Sequence, residues 1–136
     1  MKPLAALFLA AVPLFSQSAT KWEHDYQSAL SRAKAENKVI FMDLWTEWCG
    51  PCQYLQKNVF PSPEGQAALA KVVPYSALVQ KRDGTPVAEG TRLAGKFGLN
   101  AYPTMVILDS NGRELRRQVG MFRTGADFAV WLNGGL

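Results

Sequence analysis

The stretch Val39-Ile40-Phe41-Met42-Asp43-Leu44-Trp45, followed closely by Trp48-Cys49-Gly50-Pro51-Cys52, decides the fold of this chain. The first seven residues are almost continuously apolar and rich in β-forming side chains, which predicts a strand buried on both faces. The two cysteines follow after a short turn, and a helix is predicted to continue from Gln53 to Val59. The sequence therefore predicts a strand, a turn that carries two cysteines, and a helix, in that order.

Cys49 and Cys52 are the only two cysteines of the chain. They are separated by two residues, so a disulfide between them closes a ring too short to constrain much of the unfolded chain. Such a pair can open and close reversibly, which favours a dithiol/disulfide exchange site. The alternatives are a coincidental pair or half of a zinc site. A zinc site needs about four ligands, whereas the chain offers one histidine, His24, and no further cysteine.

The N-terminus has the outline of a secretory signal peptide. Met1-Lys2 supplies a small positive region, residues 4–15 are almost entirely apolar, and Ser16-Gln17-Ser18 offers small residues for cleavage. The apolar run is about a dozen residues, which is short for a membrane-spanning helix. We therefore expect residues 1–18 to be a signal peptide and residues 19–136 to form the folded domain. An uncleaved N-terminal anchor is the alternative.

Export changes how the cysteine pair is interpreted. Cleavage after Ser18 or Ala19 leaves about 117 residues, enough for one compact domain and too few for two. Exported compartments are usually oxidising, and exported proteins often carry structural disulfides. This chain has no cysteine to spare for one, so its single pair is predicted to be the working pair of a periplasmic protein.

The charges argue against a nucleic-acid partner. The formal net charge is +4, but the positive residues are scattered along the chain. No basic stripe interleaved with aromatic residues, of the kind that binds nucleic acid, is present. We interpret the positive side chains as a solvated face; a surface for an anionic partner is the alternative.

Apolar periodicity and turn residues predict the remaining elements. In chain order we expect a helix over 23–37, the strand over 39–45, helices over 53–59 and 64–71, a strand over 72–80, a polar loop over 81–90, a helix over 91–97, a strand over 104–108, a turn at 110–112, a strand over 114–119, and a last helix capped by Thr124. Ser62 is placed to cap the helix that starts at Pro63. A βαβ unit followed by a ββα unit, after an N-terminal helix, predicts an α/β fold with a central mixed β-sheet flanked by helices on both faces.

Four separated motifs resemble the thioredoxin superfamily, and the resemblance covers nearly all of residues 19–136. They are Trp48-Cys49-Gly50-Pro51-Cys52, identical to the thioredoxin active site; Asp43, where thioredoxins carry a buried aspartate; Lys96–Thr104, similar to the approach to the family's cis-proline; and Val119-Gly120, similar to the glycine beside the active site. Four matches in the right order are far more specific than two cysteines alone. The chain is identified as a member of this superfamily, which implies the thioredoxin fold.

Within the superfamily the chain is most similar to exported members, in particular the periplasmic C-terminal domain of the DsbD family of transmembrane reductases. The similarity lies in Lys38–Cys52, in Asn58–Pro63 and in the long loop before Thr91. Two positions depart from the family. Gln56 stands where that domain carries an acidic residue, and the strand Tyr75–Gln80 lacks the lysine that thioredoxins place near the buried aspartate.

The resemblance implies a catalytic role for three residues. Cys49 is the expected nucleophile, because a helix N-terminus favours a thiolate. Cys52 is expected to be less exposed and to act as the resolving thiol. Asp43, buried in an apolar strand and therefore expected to have a raised pKa, is the expected proton acceptor for Cys52. The alternative is a strand-end aspartate that reaches solvent or a backbone donor.

The resemblance also implies a substrate groove. Tyr102-Pro103 is a candidate cis peptide that leaves the Tyr102 backbone free to pair with an extended substrate; an ordinary trans bond is the alternative. Trp48, Tyr102 and Gly120 are expected to rim this groove around Cys49. Gly50 and Pro51 form the turn between the cysteines, and this pair is similar to that of reducing family members.

These features predict an exported thiol–disulfide oxidoreductase that reduces disulfides of periplasmic proteins. Its expected partners are disulfide-bearing or thiol-bearing exported proteins and a membrane electron donor; no cofactor, metal or nucleic acid is expected, and monomer is the family default. An oxidase or isomerase is the second interpretation, since Tyr102 before Pro103 is similar to disulfide isomerases. A binding module that uses the groove without catalysis is the third.

Overall fold

The computed structural model describes residues 1–3, 10–11 and 19–136. The predicted signal peptide falls mostly on residues 4–9 and 12–18, which lie outside the described residues, so it stays a prediction. Within the described ranges, no helix combines the length and the apolar character needed to cross a membrane.

The described part of the chain folds as one mixed β-sheet with α-helices packed on it. In chain order the elements are α1 (Tyr26–Glu36), β1 (Ile40–Thr46), α2 (Gly50–Tyr54), α3 (Pro63–Leu69), β2 (Val73–Gln80), α4 (Ala88–Lys96), β3 (Thr104–Leu108), β4 (Glu114–Val119) and α5 (Gly125–Asn133). A π-helical turn, Leu55–Val59, continues α2 without a break. The predicted α/β class is confirmed.

The strands are arranged in the order β2-β1-β3-β4. β1 runs parallel to β2 and antiparallel to β3, and β4 pairs antiparallel with the outer side of β3. β1 is therefore central, which explains why its sequence is almost continuously apolar. Asp43 stands near the middle of β1, opposite Ser76 on β2 and Met105 on β3.

Two apolar layers cover the two faces of the sheet. The first packs α1 and α4 against one face, and its buried members include Ala29, Ala33, Ile40, Met42, Leu44, Leu93 and Val106. The second packs the π turn, α3 and α5 against the other face, with Phe41, Leu55, Val59, Leu69, Ile107, Phe128 and Leu132. Since side chains alternate along a strand, Asp43 lies on the same face as Phe41, beneath the helical run that begins at Cys49.

The first helix begins later than predicted. Asp25 caps it by accepting a hydrogen bond from the backbone N–H of Ser28 at 2.8 Å, and α1 therefore starts at Tyr26. His24 falls within the predicted helix 23–37, and this part of the prediction is wrong: His24 precedes α1 and is exposed. At the other end, Asn37 adopts the left-handed conformation and stops α1.

Tertiary contacts move the start of α4 from the predicted Thr91 to Ala88. The Glu89 carboxylate accepts hydrogen bonds from the Tyr75 hydroxyl at 2.7 Å and from the Tyr26 backbone N–H at 3.2 Å. The Val87 N–H also donates to the Val79 carbonyl at 2.9 Å. These partners lie far away in sequence, so local residue preferences do not reveal that the helix already begins within the predicted polar loop.

Pro74 lies within β2, although proline has no backbone N–H to donate to a sheet ladder. Its carbonyl faces away from β1 and accepts the N–H of Glu23 at 2.8 Å. The N–H and C=O of one strand residue point to the same side, so the missing N–H of the proline falls on the outer edge of the sheet. The ladder between β1 and β2 therefore loses no hydrogen bond.

Replacing Gly90 by alanine should destabilise the fold by about 1 to 3 kcal/mol, the usual range for overpacking. A Cβ at Gly90 would lie 2.0 Å from the backbone oxygen of Leu78, which belongs to β2 and has little freedom to move. Gly95, in the same helix, has no such neighbour within 4 Å, so alanine there should stabilise the fold by up to about 1 kcal/mol. Urea unfolding of both variants measures the contrast; equal effects would contradict the close approach of α4 to β2.

Candidate active site

The two cysteines lie where β1 gives way to helix. Cys49 is the N-cap of α2 and has extended backbone angles, whereas Cys52 lies in the first turn. They are joined by a disulfide with their Cα atoms 5.3 Å apart. Cys49 is 4% exposed and Cys52 is 0% exposed. Of the two sulfur-bearing residues, Cys49 is therefore the one that a substrate can approach.

The start of the helical run favours negative charge on Cys49. The backbone N–H of Cys52 donates a hydrogen bond to the Cys49 sulfur at 3.2 Å. Pro51 occupies the first turn, where its missing N–H costs nothing. Unpaired N–H groups and the helix dipole stabilise an anion at this position. When the disulfide opens, these groups can stabilise the negative charge that develops on the Cys49 sulfur.

Asp43 is buried without compensation. The residue is 1% exposed, and its Oδ1 atom has no hydrogen-bond partner in the described part of the chain. Burial alone raises the pKa of this carboxyl to about 7. The alternative of a strand-end aspartate that reaches solvent is therefore wrong. A carboxyl group with a pKa near neutral can both accept and release a proton under ordinary conditions.

The helical run brings Cys52 to the side of the sheet that carries Asp43. Cys52 and Gln56 are four residues apart in this run and therefore share a face. Gln56 and Asp43 line the same cavity, which has a volume of about 330 Å³. The other walls of this cavity include Trp22, His24, Trp45 and Ser76. The predicted acid and the predicted resolving thiol thus lie on facing elements.

Sequence reasoning did not find the cavity. In the sequence, His24 is notable only as the single histidine, and Gln56 only as a departure from the family. No local signal connects either residue to Asp43. Pairing of Glu23 with the outer edge of β2 carries His24 there, whereas Gln56 arrives through the helical run.

The predicted groove residues are brought together. The peptide bond between Tyr102 and Pro103 is cis, and Pro103 is buried. The Pro103 carbonyl accepts the N–H of Gly120 at 2.9 Å, and Gly120 has a φ angle of 91°. The rings of Trp48 and Tyr102 meet edge to face at 6.2 Å. Trp48 remains 52% exposed, which leaves an apolar surface for a substrate.

The strand register places this groove beside the cysteines. Leu44 on β1 lies opposite Thr104 on β3 in an antiparallel pair. Continuing that register by one residue places Pro103 opposite Trp45, at the end of β1 from which the cysteine turn departs. Trp48 is fixed in the same region because its indole N–H donates to the Gln80 side chain at 2.8 Å.

Comparisons with known proteins identify relatives with related chemistry. The chain is 30% identical over 99 residues to the thiol:disulfide interchange protein DsbD of Haemophilus ducreyi, covering 72% of this chain and 17% of that protein. It is 31% identical over 136 residues to the thioredoxin-related protein DsbJ of Chlamydia pneumoniae, covering 90% of this chain and 38% of that protein. The chain therefore spans only a minor part of both relatives.

A solved structure and a family model cover more of the fold. The thioredoxin of Thermus thermophilus superposes with a TM-score of 0.70 at 29% identity, covering 86% of this chain and 87% of that one. The family model described as a thioredoxin-like domain matches residues 26–135. This span includes both cysteines, Asp43 and the cis-proline. The chain belongs to the thioredoxin-like family, and its Cys49–Cys52 pair supports thiol–disulfide oxidoreductase chemistry.

Proposed function

We propose that this protein reduces disulfides of exported proteins by thiol–disulfide exchange at Cys49 and Cys52. The observation that carries the proposal is the disulfide between them at the start of a helical run, with the Cys49 sulfur accepting the Cys52 N–H at 3.2 Å. This arrangement favours the thiolate at the less buried of the two residues. A thiol that attacks a disulfide and later leaves as a thiolate requires such stabilisation of its negative charge.

The first step of the proposed reaction begins from the reduced protein. The Cys49 thiolate attacks one sulfur of the substrate disulfide. A bond forms between Cys49 and that sulfur, the substrate disulfide breaks, and the second substrate sulfur leaves as a thiolate that takes up a proton. The groove between Trp48 and Tyr102, beside Pro103, holds the substrate backbone during this step by strand addition.

The second step releases the reduced substrate. The Cys52 thiol transfers its proton to the Asp43 carboxylate, and the resulting thiolate attacks the Cys49 sulfur. The Cys49–Cys52 disulfide forms, the mixed disulfide breaks, and the remaining substrate sulfur leaves as a thiolate. Overall the protein loses two electrons and the substrate disulfide gains them, so the protein needs a donor before its next turn.

Location and partners follow from the same proposal. The signal-like N-terminus supports export to the periplasm, where substrates are disulfide-bearing or thiol-bearing proteins. Two curated relatives bear the names thiol:disulfide interchange protein and thioredoxin-related protein, which supports exchange with protein partners. An exported protein cannot draw directly on cytosolic reductant, so a membrane electron donor is the proposed source of electrons.

The direction of electron flow is tested by the reduction potential of the Cys49–Cys52 pair. The Gly50-Pro51 turn supports a reductase, so we expect a value near the roughly −270 mV of thioredoxin. Equilibration with glutathione at several ratios, followed by thiol counting, gives the potential directly. A value in the range of roughly −120 to −180 mV would reject the reductase and favour the oxidase or isomerase, the interpretation that Tyr102 before Pro103 also suggests.

A further inference from the structure

A short segment before α1, residues 20–24, forms a strap along the outer edge of β2. The Glu23 N–H donates to the Pro74 carbonyl at 2.8 Å, and the Ser76 N–H donates to the Glu23 carbonyl at 2.9 Å. Glu23 is therefore bridged to β2 as a strand would be. Ser76 is also the residue of β2 that lies opposite Asp43 on β1, so the strap is one strand removed from the buried carboxyl.

Side chains hold the strap at two further points. The Arg32 guanidinium donates to the Lys21 carbonyl at 2.8 Å and forms an ion pair with Glu23 at 3.3 Å. The Trp22 ring packs against Phe60 with the ring centroids 5.3 Å apart. The strap is thus attached to α1, to β2 and, through Trp22, to Phe60.

The strap presents two side chains to the Asp43 cavity. Trp22 and His24 flank Glu23 and, being two residues apart in extended chain, point to the same side. Both line the cavity, together with Asp43, Gln56 and Ser76. His24 is exposed, whereas Trp22 is half-buried. The cavity therefore has an outer wall made by the strap and an inner wall that carries the unpartnered carboxyl oxygen.

Among the lining residues, His24 and Asp43 are the ones with titratable side chains. The elements packed around Asp43 carry other ionisable groups: Lys21 and Glu23 on the strap, Tyr54 on α2, Lys57 on the π turn, Glu64 on α3 and Tyr75 on β2. Cys52 on α2 is held in the disulfide and does not titrate. Lys21, Lys57 and Glu64 are exposed, and Glu23 is paired with Arg32. Burial is the one cause acting on the Asp43 pKa, so whatever excludes water from Asp43 controls its titration.

We infer that the strap is the wall that limits solvent access to Asp43, which makes Trp22 a positioning residue for the second thiol exchange. Trp22 closes the wall by packing, and the exposed His24 marks the point where the cavity meets solvent. The effect on the exchange rate rests on the role proposed above for Asp43. The effect on the titration of Asp43 does not.

The test uses variants that loosen the strap or open the cavity and that leave both cysteines unchanged. Arg32→Gln loosens the strap, and Trp22→Ala opens the cavity. Each has a matched control away from the strap: Arg117→Gln on β4, which breaks an ion pair with Glu114 and a hydrogen bond to Phe97, and Trp131→Ala on α5, which removes an indole packed on Phe41. Circular dichroism confirms folding, and carbon-13 NMR follows the Asp43 carboxyl as pH is varied.

In the strap variants we expect the apparent pKa of Asp43 to fall by at least one pH unit toward its ordinary range, because water reaches the carboxylate. In the control variants it should stay where it is in the unaltered protein. An unchanged titration in folded Trp22→Ala and Arg32→Gln would overturn the inference. An equal fall in all four variants would overturn it too, since general loosening would then be the cause.

Exchange kinetics separate this inference from the proposed function. If Asp43→Asn leaves the exchange rate unchanged while the strap variants shift the Asp43 titration, the proposed role of Asp43 in exchange is rejected. The inference that the strap shields Asp43 from solvent is then still supported. If Asp43→Asn slows exchange while the strap variants leave the Asp43 titration unchanged, the inference about the strap is rejected. The proposed role of Asp43 in exchange is then supported. When both hold, adding Trp22→Ala to Asp43→Asn should change the pH profile no further, since the carboxyl through which the strap acts is gone.

Discussion

Replacing Cys49 by serine should reduce disulfide reductase activity to the background level, a loss on the order of a thousandfold or more. A serine hydroxyl is not ionised at neutral pH and cannot form a mixed disulfide, so both the nucleophile and the covalent intermediate are lost. The local structure should survive, because serine is a good N-cap and its oxygen can accept the Cys52 N–H that Cys49 now accepts. Reduction of an insulin-type protein disulfide, with a chemical reductant supplying electrons, measures the effect.

Cys52→Ser is the matched control for this experiment. Cys49 remains able to attack a substrate, but no thiol is left to resolve the product, so a mixed disulfide should accumulate. Mass spectrometry of the purified variant after exposure to a disulfide-bearing peptide detects this adduct. Biological activity retained by Cys49→Ser would count against both enzyme interpretations and favour the binding module.

Burial supports the proposed order of roles for the two cysteines. Cys52 is fully buried in the disulfide form, whereas Cys49 is slightly exposed at the end of the groove. A substrate disulfide must be approached in line by the attacking sulfur, so the outer cysteine has the access that attack requires. The inner cysteine needs to reach only the sulfur of its neighbour. Burial protects the Cys52 thiol from external oxidants and disulfides until the mixed disulfide has formed.

Much of the scaffold could be predicted because its signals are local. The bounds of β3 and β4 match the predicted ones, since one is a continuous apolar run and the other follows an Asn-Gly turn. The caps of α3 and α5 also hold: Ser62 accepts from the Gly65 N–H, and Thr124 accepts from the Asp127 N–H. In the two caps the donor lies three residues from the acceptor, and the bounds of β3 and β4 follow from the apolar run and from the turn that joins them.

The helices differ from the predicted ones in two places. The predicted helix over 53–59 divides into the end of α2 and a π turn, in which the Phe60 N–H reaches back five residues to the Leu55 carbonyl. The start of α4 depends on Glu89, whose partners lie on α1 and β2. Residue preferences describe how readily a segment forms a helix or a strand when solvent is its only surroundings. They contain no information about a carboxylate that is bound from two other elements.

The candidate site shows the same division. The positions of the cysteines, the buried aspartate and the groove residues came from motifs with fixed spacing. The cavity wall came from the strap, which depends on two backbone hydrogen bonds between Glu23 and β2. A backbone bridge has almost no sequence signature, so neither Trp22 nor His24 could be connected to Asp43 before the fold was known.

Replacing Asp43 by asparagine should slow resolution of the mixed disulfide by roughly a hundredfold at neutral pH, the lower end of what a positioned base contributes. Asparagine has a similar shape but cannot accept the Cys52 proton. The first step uses the Cys49 thiolate and should change little. Rapid quenching of a single turnover from pH 5 to pH 9 resolves the two steps. In the unaltered protein resolution should accelerate as pH rises through about 7, where Asp43 becomes ionised, and this rise should be absent from Asp43→Asn.

The same substitution should stabilise the oxidised fold at alkaline pH. The folded pKa of Asp43 is about 7, against the ordinary value of 3.8, so between these values the folded protein binds more protons than the unfolded chain. The contribution of Asp43 to the free energy of unfolding therefore falls as pH rises from about 4 to about 7, by about 4 kcal/mol in all. Asparagine has no proton to lose, so Asp43→Asn should remove this contribution to the pH dependence and should be the more stable protein at pH 8.

Urea unfolding at pH 5 and pH 8 measures the free energy of unfolding of both proteins. The control is Asp127→Asn, at an exposed aspartate in α5, which should leave the difference between the two pH values unchanged. A variant that loses stability equally at both pH values would mean that the carboxyl is held by hydrogen bonds and not isolated by burial. Resolution would then need a different proton acceptor.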